Sequence, residues 1–237
     1  MQQAVYIKNL GIIEYGEAWH FQDSLLQENT AKKIRLAKGE DAGETRHHLL
    51  FCEHLPVYTL GKSGKEEHVL ISKEELAKRN IGYYPTNRGG DITFHGPGQV
   101  VGYPILDLEK FFTDIGKYLR YLEDVIILTL LHYGIKGDRS PGETGVWLDP
   151  GNKMKARKIC AMGVRCSRWV TMHGFALNVN TDLNYFNSIV PCGIPDKQVT
   201  SLQKELGHDV DMEEVRQLII KNFEKVFACR IIVAPEG

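Results

Sequence analysis

The five cysteines, at positions 52, 160, 166, 192 and 229, include no C-x-x-C pair. Their odd number and wide spacing argue against a disulfide framework and against a ribbon-type zinc site. Long apolar runs are missing too. The longest away from the first residues is Val125-Ile126-Ile127-Leu128, then Thr129-Leu130-Leu131, well short of the about 20 residues that a bilayer span needs. The opening residues have no basic stretch leading into an apolar one, so no secretory signal is expected. Neither sign of charge dominates: 29 Lys and Arg stand against 30 Asp and Glu, a formal net charge of −1. That balance lacks the footprint of a dedicated nucleic-acid binder. No repeat, low-complexity linker or heptad pattern is present. The chain is therefore expected to be cytoplasmic with reduced thiols, to bind neither nucleic acid nor membrane, and by default to be a monomer.

What is present fits a globular chain. Of 237 residues, 43% are hydrophobic and 25% charged, and a chain of this length buries about 70% of its unfolded surface without metal or disulfide support. No domain boundary is defensible, so residues 1–237 are read as one domain, with the last forty residues able to pack as a smaller lobe. Strand-like and helix-like segments alternate. Residues 4–14, 46–53 and 57–60 are expected to be extended. Residues 17–38 are expected to be helical, with Ala18, Phe21 and Leu25 on one stripe. Ser72 opens a short helix to about Arg79 by a capping box. Residues 115–132 form a helix that Gly134 can end in a left-handed turn. Residues 211–228 form the last helix, with Asp211 and Glu214 at capping-box spacing. The interleaving predicts an α/β or α+β fold with a mixed sheet flanked by helices.

Four of the thiols have plain roles. Cys52, Cys160 and Cys229 sit in apolar surroundings as small hydrophobes, and Cys166 lies near a turn. Cys192 is different: in Ile189-Val190-Pro191-Cys192-Gly193-Ile194-Pro195, proline and glycine disfavour a regular strand, so a sharply turned loop holds the thiol. This is either a buried turn cysteine or a nucleophile. Since a free thiol has a pKa of about 8.5, a nucleophile needs a cationic or basic neighbour. One candidate is Lys158. It follows the basic turn Lys153-Met154-Lys155-Ala156-Arg157 and enters the strand Ile159-Cys160-Ala161-Met162-Gly163-Val164, where burial on both faces would desolvate the amine and lower its pKa. Other candidates are His95 and His173, each before a glycine, where a structural hydrogen-bonding role competes with a basic one. His47, His48 and His54 lack metal-ligand spacing, so no metal is expected. The segment Arg88-Gly89-Gly90-Asp91-Ile92-Thr93-Phe94-His95, followed by Gly96 and Gly98, lets a ligand approach exposed backbone N–H groups. It matches neither the phosphate loop nor the dinucleotide fingerprint.

Together, residues 88–105, Thr144-Gly145-Val146-Trp147, residues 158–165, His173-Gly174-Phe175-Ala176-Leu177-Asn178-Val179 and Pro191-Cys192-Gly193-Ile194 resemble the lipoyl(octanoyl) transferase family. They occur in that family's order over nearly the whole chain, and residues 53–61 resemble its N-terminal signature. Asp91 stands where many members carry another polar residue, and Leu55 where proline is common. The resemblance implies the fold of biotin and lipoate protein ligases. It also implies transfer of an octanoyl group from octanoyl-acyl-carrier protein to a lysine of lipoyl domains, such as those of 2-oxoacid dehydrogenase E2 subunits and the glycine-cleavage H protein. No cofactor is implied. Cys192 would hold the acyl group as a thioester and Lys158 would adjust its protonation. The substrate-binding stretches would be residues 88–95, Ala161-Met162-Gly163 and Gly174-Phe175-Ala176. Three alternatives are an octanoyl amidotransferase between lipoyl domains, an ATP-dependent lipoate or biotin ligase on the same scaffold, and a non-catalytic carrier-binding module. Chain-length preference and the choice of docking residues among Lys62, Lys65, Lys153, Lys155, Arg165 and Arg168 do not follow from the sequence.

Overall fold

Two strands whose residues are all buried, Gln99–Ile105 and Val170–Asn178, lie side by side in the middle of the fold. Runs of this kind arise when a sheet is covered on both faces. The computed structural model describes residues 2–190 and 198–233. In chain order the strands are β1 (Ala4–Ile13), β2 (His47–His54), β3 (Val57–Leu60), β4 (Gly82–Pro85), β5 (Ile92–His95), β6 (Gln99–Ile105), β7 (Val146–Leu148), β8 (Arg157–Ser167), β9 (Val170–Asn178), β10 (Gln198–Val199) and β11 (Arg230–Val233). The helices are α1 (Tyr15–Ala37), α2 (Lys73–Lys78), α3 (Ile115–His132), α4 (Leu202–Leu206) and α5 (Met212–Phe227).

The larger sheet runs β10-β8-β9-β6-β2-β1-β11, with β7 also paired to β8. Its β1–β2, β1–β11 and β8–β10 pairs are parallel and the others antiparallel, so the sheet is mixed as expected. On one face Ala18 and Leu26 of α1 pack on Val101, Tyr103, Met172 and Ala176. On the other, Leu122 and Ile126 of α3 with Ile219 and Phe223 of α5 pack on Val100, Phe175 and Leu177. A smaller sheet, β4-β3-β5, stands beside it.

The bounds of α3 agree with the expectation, with Asp114 accepting from the Lys117 N–H at 2.9 Å and Gly134 left-handed at φ 71°. Ser72 likewise accepts from Glu75 N at the start of α2. Three expectations need correction. Helix α1 begins at Tyr15 because Glu14, a residue outside the usual capping set, accepts from Glu17 N at 3.2 Å. Its buried stripe is Tyr15, Ala18, Gln22, Leu26 and Asn29, and Phe21 and Leu25 lie on its flank. Two of those five are polar, so a purely apolar periodicity finds Ala18 and the flank of the buried face but not its centre. At α5 the Asp211 carboxylate caps Glu213 N, not Glu214. The last forty residues do not form a separate lobe: β11 extends the large sheet beside β1, and α5 packs against α3.

Strand β8 also departs from the expectation of burial on both faces. Ile159 and Cys160 are fully buried, while Lys158 and residues 163–167 are half-buried. Beyond Cys160 its outer edge has no strand partner among the described residues, and a cavity opens there instead.

The polar side of α1 is tied into the fold by Asn29, which donates to Arg46 O at 2.7 Å and accepts from Arg46 N at 2.9 Å. Asn29→Ala leaves both backbone groups without that partner and is expected to cost about 1–3 kcal/mol. Urea unfolding checks this, and a change below about 0.5 kcal/mol would contradict it.

Candidate active site

The glycine-rich segment before β5 lies against two other backbones. Gly61, Lys62 and Ser63 donate their N–H groups to Asp91 O, Arg88 O and Gly90 O at 3.2, 2.9 and 3.1 Å. On the opposite side Gly89 N donates to Val164 O of β8 at 3.0 Å. A Cβ on residue 163 would fall 2.6 Å from Gly89 O, so only glycine permits this approach. The segment thereby occupies part of the edge that no strand takes among the described residues.

A cavity of about 790 Å³ opens along this edge. Met162 and Phe175 enter from the α3 side of the sheet with Ile115 and Leu119, whereas Val101, Tyr103 and Ala176 enter from the α1 side with Tyr15. The turn 141–144 closes a further wall. Of the expected site residues, Arg88, Gly89, Gly90, Asp91, Ile92, Thr93, His95, Lys158, Ala161, Met162, Gly163, Gly174, Phe175 and Ala176 all line it. Phe94 does not: its ring is buried under the small sheet and stacks on Tyr185, centroids 4.4 Å apart. Cys192 lies outside the described residues. Its described neighbours on the chain are fixed: Val190 N donates to His68 O at 2.8 Å, and Val199 of β10 pairs with Lys158 and lines the cavity.

Several of these side chains are committed to the protein itself. The Arg88 guanidinium is buried and donates to Thr59 O and Oγ1 at 2.6 and 2.9 Å and to Gly89 O at 3.0 Å. Asp91 accepts from Ile92 N at 2.7 Å and pairs with His68 Nδ1 at 2.8 Å. Lys158 Nζ donates to Thr144 O at 3.3 Å and stands 4.7 Å from the Trp147 ring centroid.

His95 and His173 act as hydrogen bonders. His95 meets Gln99 Oε1 at 2.8 Å and Thr59 Oγ1 at 3.3 Å, and His173 meets Asn87 Oδ1 at 2.7 Å while its backbone N–H donates to Gln22 Oε1. Burial, reinforced by neighbouring His54 for one and Arg88 for the other, holds both pKa values down to about 3. Tyr15 stacks nearly parallel on His95, and burial pushes its phenol up to about 12. His47 and His54 have separate partners, Gln3 for the first and Tyr103 for the second. Burial also raises the thiol pKa of Cys52, Cys160 and Cys166, and pushes Cys229 up to about 12. Each of the four described thiols is thus disfavoured as a thiolate.

Sequence reasoning missed Tyr15, Tyr103, Leu119, Gln99 and Asn178 as lining residues. Gln99, Tyr103 and Asn178 sit inside stretches that carry the family resemblance, a usable signal. Tyr15 and Leu119 have none, since helix packing alone brings them here. No helix among the described residues is long and apolar enough to cross a membrane.

Residues 14–224 match the model of the lipoyl protein ligase A/B catalytic domain. An octanoyltransferase of Christiangramia forsetii is 57% identical over 232 residues, covering 98% of this chain and 99% of its own length. One from Cytophaga hutchinsonii is 53% identical, covering 97% and 95%. Among solved structures, the bipartite lipoate protein ligase of Thermoplasma acidophilum superposes with a TM-score of 0.66 at 18% identity, covering 100% of this chain and 87% of that one. This likeness shows the fold.

The buried histidines make stability depend on pH. An unfolded chain protonates them near 6.5, whereas the folded chain holds His95 and His173 neutral down to about 3. Stability is therefore full above pH 6.5 and is lost as pH falls toward 3, by up to about 1.4 kcal/mol per pH unit for each ring. Urea midpoints at pH 7.5 and 5.0 are expected to differ accordingly, with a shallower slope in His173→Gln. Equal midpoints would show that the rings are not held neutral.

Proposed function

The chain belongs to the lipoyl protein ligase A/B catalytic-domain family, and from that premise we propose that it is an octanoyltransferase acting in protein lipoylation. The donor is an octanoyl thioester on acyl-carrier protein, and the acceptor is a lysine of a lipoyl domain. Cys192 is the nucleophile and Lys158 manages its proton. Attack of the Cys192 thiolate on the donor carbonyl expels the carrier thiolate, which takes up a proton. The octanoyl group is left on sulfur. The neutral amine of the acceptor lysine then attacks that thioester, loses a proton and becomes an amide as the Cys192 thiolate leaves. Thioester exchange is nearly isoenergetic and thioester to amide is downhill, so no nucleotide is consumed. The two-step route gives ping-pong kinetics.

The observation that carries this reading is the register of β10 on β8. Val199, seven residues after Cys192, pairs with Lys158 at the wall of the cavity. The raised thiol pKa values of the four described cysteines support it, because they leave Cys192 as the candidate nucleophile. The cavity is lined in part by Ile115, Leu119, Met162, Val164 and Phe175. It suits an alkyl chain, at about 0.8 kcal/mol per buried methylene. Backbone N–H groups near Cys192 or in the glycine-rich segment are the candidate donors to the tetrahedral oxygen. The remaining substrate-binding residues are those that line the cavity in residues 88–93, His95, 161–163 and 174–176.

Incubation with octanoyl-acyl-carrier protein is expected to add one octanoyl mass to Cys192 and to modify a lipoyl domain without ATP. Cys192→Ala abolishes both, and Lys158→Ala lowers the transfer rate by about 10²–10⁴-fold. An absolute need for ATP would identify a ligase, transfer only from an octanoylated lipoyl domain would identify an amidotransferase, and unimpaired Cys192→Ala would reject the thioester.

A further inference from the structure

Helix α3 buries one carboxylate. Glu123 is fully buried on a helix whose other inward residues include Tyr118, Leu122 and Ile126. An ionised group in such a place is costly unless paired, and apolar side chains serve packing at least as well. Its partners lie on one side: Glu123 Oε2 meets Arg120 Nη1 at 2.7 Å and Arg139 Nε at 2.8 Å. Arg139 also reaches Asp124 Oδ1 and Arg120 O, which ties the α3–β7 connection to the helix. The second oxygen, Oε1, has a different task and accepts the Gly145 N–H at 3.1 Å.

That N–H belongs to the same peptide unit as the Thr144 carbonyl, which accepts from Lys158 Nζ at 3.3 Å. Because a trans peptide is planar, its C=O and N–H point in opposite directions, so holding one aims the other. The unit lies close against the β8 backbone, where only glycine fits. Gly145 has φ 114°, and a Cβ there would fall 2.5 Å from Cys160 O. An anion on the N–H also polarises the amide and makes its oxygen a better acceptor.

We infer that Glu123 is a positioning residue for Lys158, acting through the Thr144–Gly145 peptide to fix where the lysine nitrogen stands at the cavity wall. This deepens the proposed mechanism and rests on the role assigned there to Lys158. A purely structural role, clamping the α3–β7 connection through Arg139, is the competing account.

A double-mutant cycle separates them. Octanoyl transfer to a lipoyl domain is measured in the full chain, in Glu123→Gln, in Lys158→Ala and in the pair, with melting curves for each. Glu123→Gln is expected to lower kcat about tenfold with donor KM within about twofold, and to cause no further loss in the Lys158→Ala background. Should Glu123→Gln fail to fold, Glu123→Asp replaces it in the cycle: it keeps the charge for both arginines but draws back from Gly145. Losses that multiply in the double variant, or a raised KM with kcat unchanged, overturn the positioning link while leaving the role of Lys158 intact. An unimpaired Lys158→Ala protein removes the premise, and the inference with it.

Discussion

At the outer edge of β8 a second backbone lies within hydrogen-bonding distance, and at Gly163 no side chain separates the two. From that contact the rest of the site follows in steps. Gly89 bonds to Val164, its carbonyl passes close to Gly163, and Arg88 is then carried inward to Thr59. Asp91 meets His68, whose carbonyl takes the Val190 N–H. A methyl group at position 163 would displace the segment at its centre and disturb each of these bonds together. The glycines here serve close approach between main chains more than chain flexibility.

The cavity that results is mainly apolar, with a few polar side chains set into its wall. His95, His173 and Tyr15 contribute rings that burial holds neutral near pH 7. The other ionisable side chains on the lining are Arg88, Asp91, Glu143 and Lys158. Arg88 and Asp91 are engaged with the protein's own groups, so their first role is to hold the wall. An alkyl chain and a carbonyl group can thus share one space: aliphatic side chains come from α3 and the sheet, and backbone polar groups from the loop. Convergence of a few fixed polar groups in a mainly apolar cavity is the usual form of a small-ligand site.

Much of the fold was legible where local signals agreed. Helix α3 has a cap, a regular apolar stripe and a terminal glycine, and its limits coincide with those expected. Helix α1 was legible as a helix but only roughly in its orientation, because Gln22 and Asn29 are buried through hydrogen bonds to distant backbone and no periodicity rule scores them as inward. The place of β11 depends on pairing with β1 across almost the whole sequence, which local patterning does not encode. In the site, Lys158 was legible as a lysine entering a strand of small and apolar residues, and the glycine segment from its composition. Phe94 was misassigned because it lies within that segment yet turns into a different core. Glu123 was invisible as a polar residue on an otherwise amphipathic helix, since its meaning depends on where the Thr144–Gly145 peptide comes to rest.

The parallel pairing of β1 with β11 bears on how the molecule is made. Ala4 is in register with Arg230 and Ile7 with Val233, so β1 keeps one side open until a partner 226 residues further along the chain has been made. Translation proceeds at about 5–20 residues per second, which leaves that side exposed for at least about ten seconds in each round of synthesis. Vectorial folding can assemble β1 with β2, but closure of this margin of the sheet awaits β11.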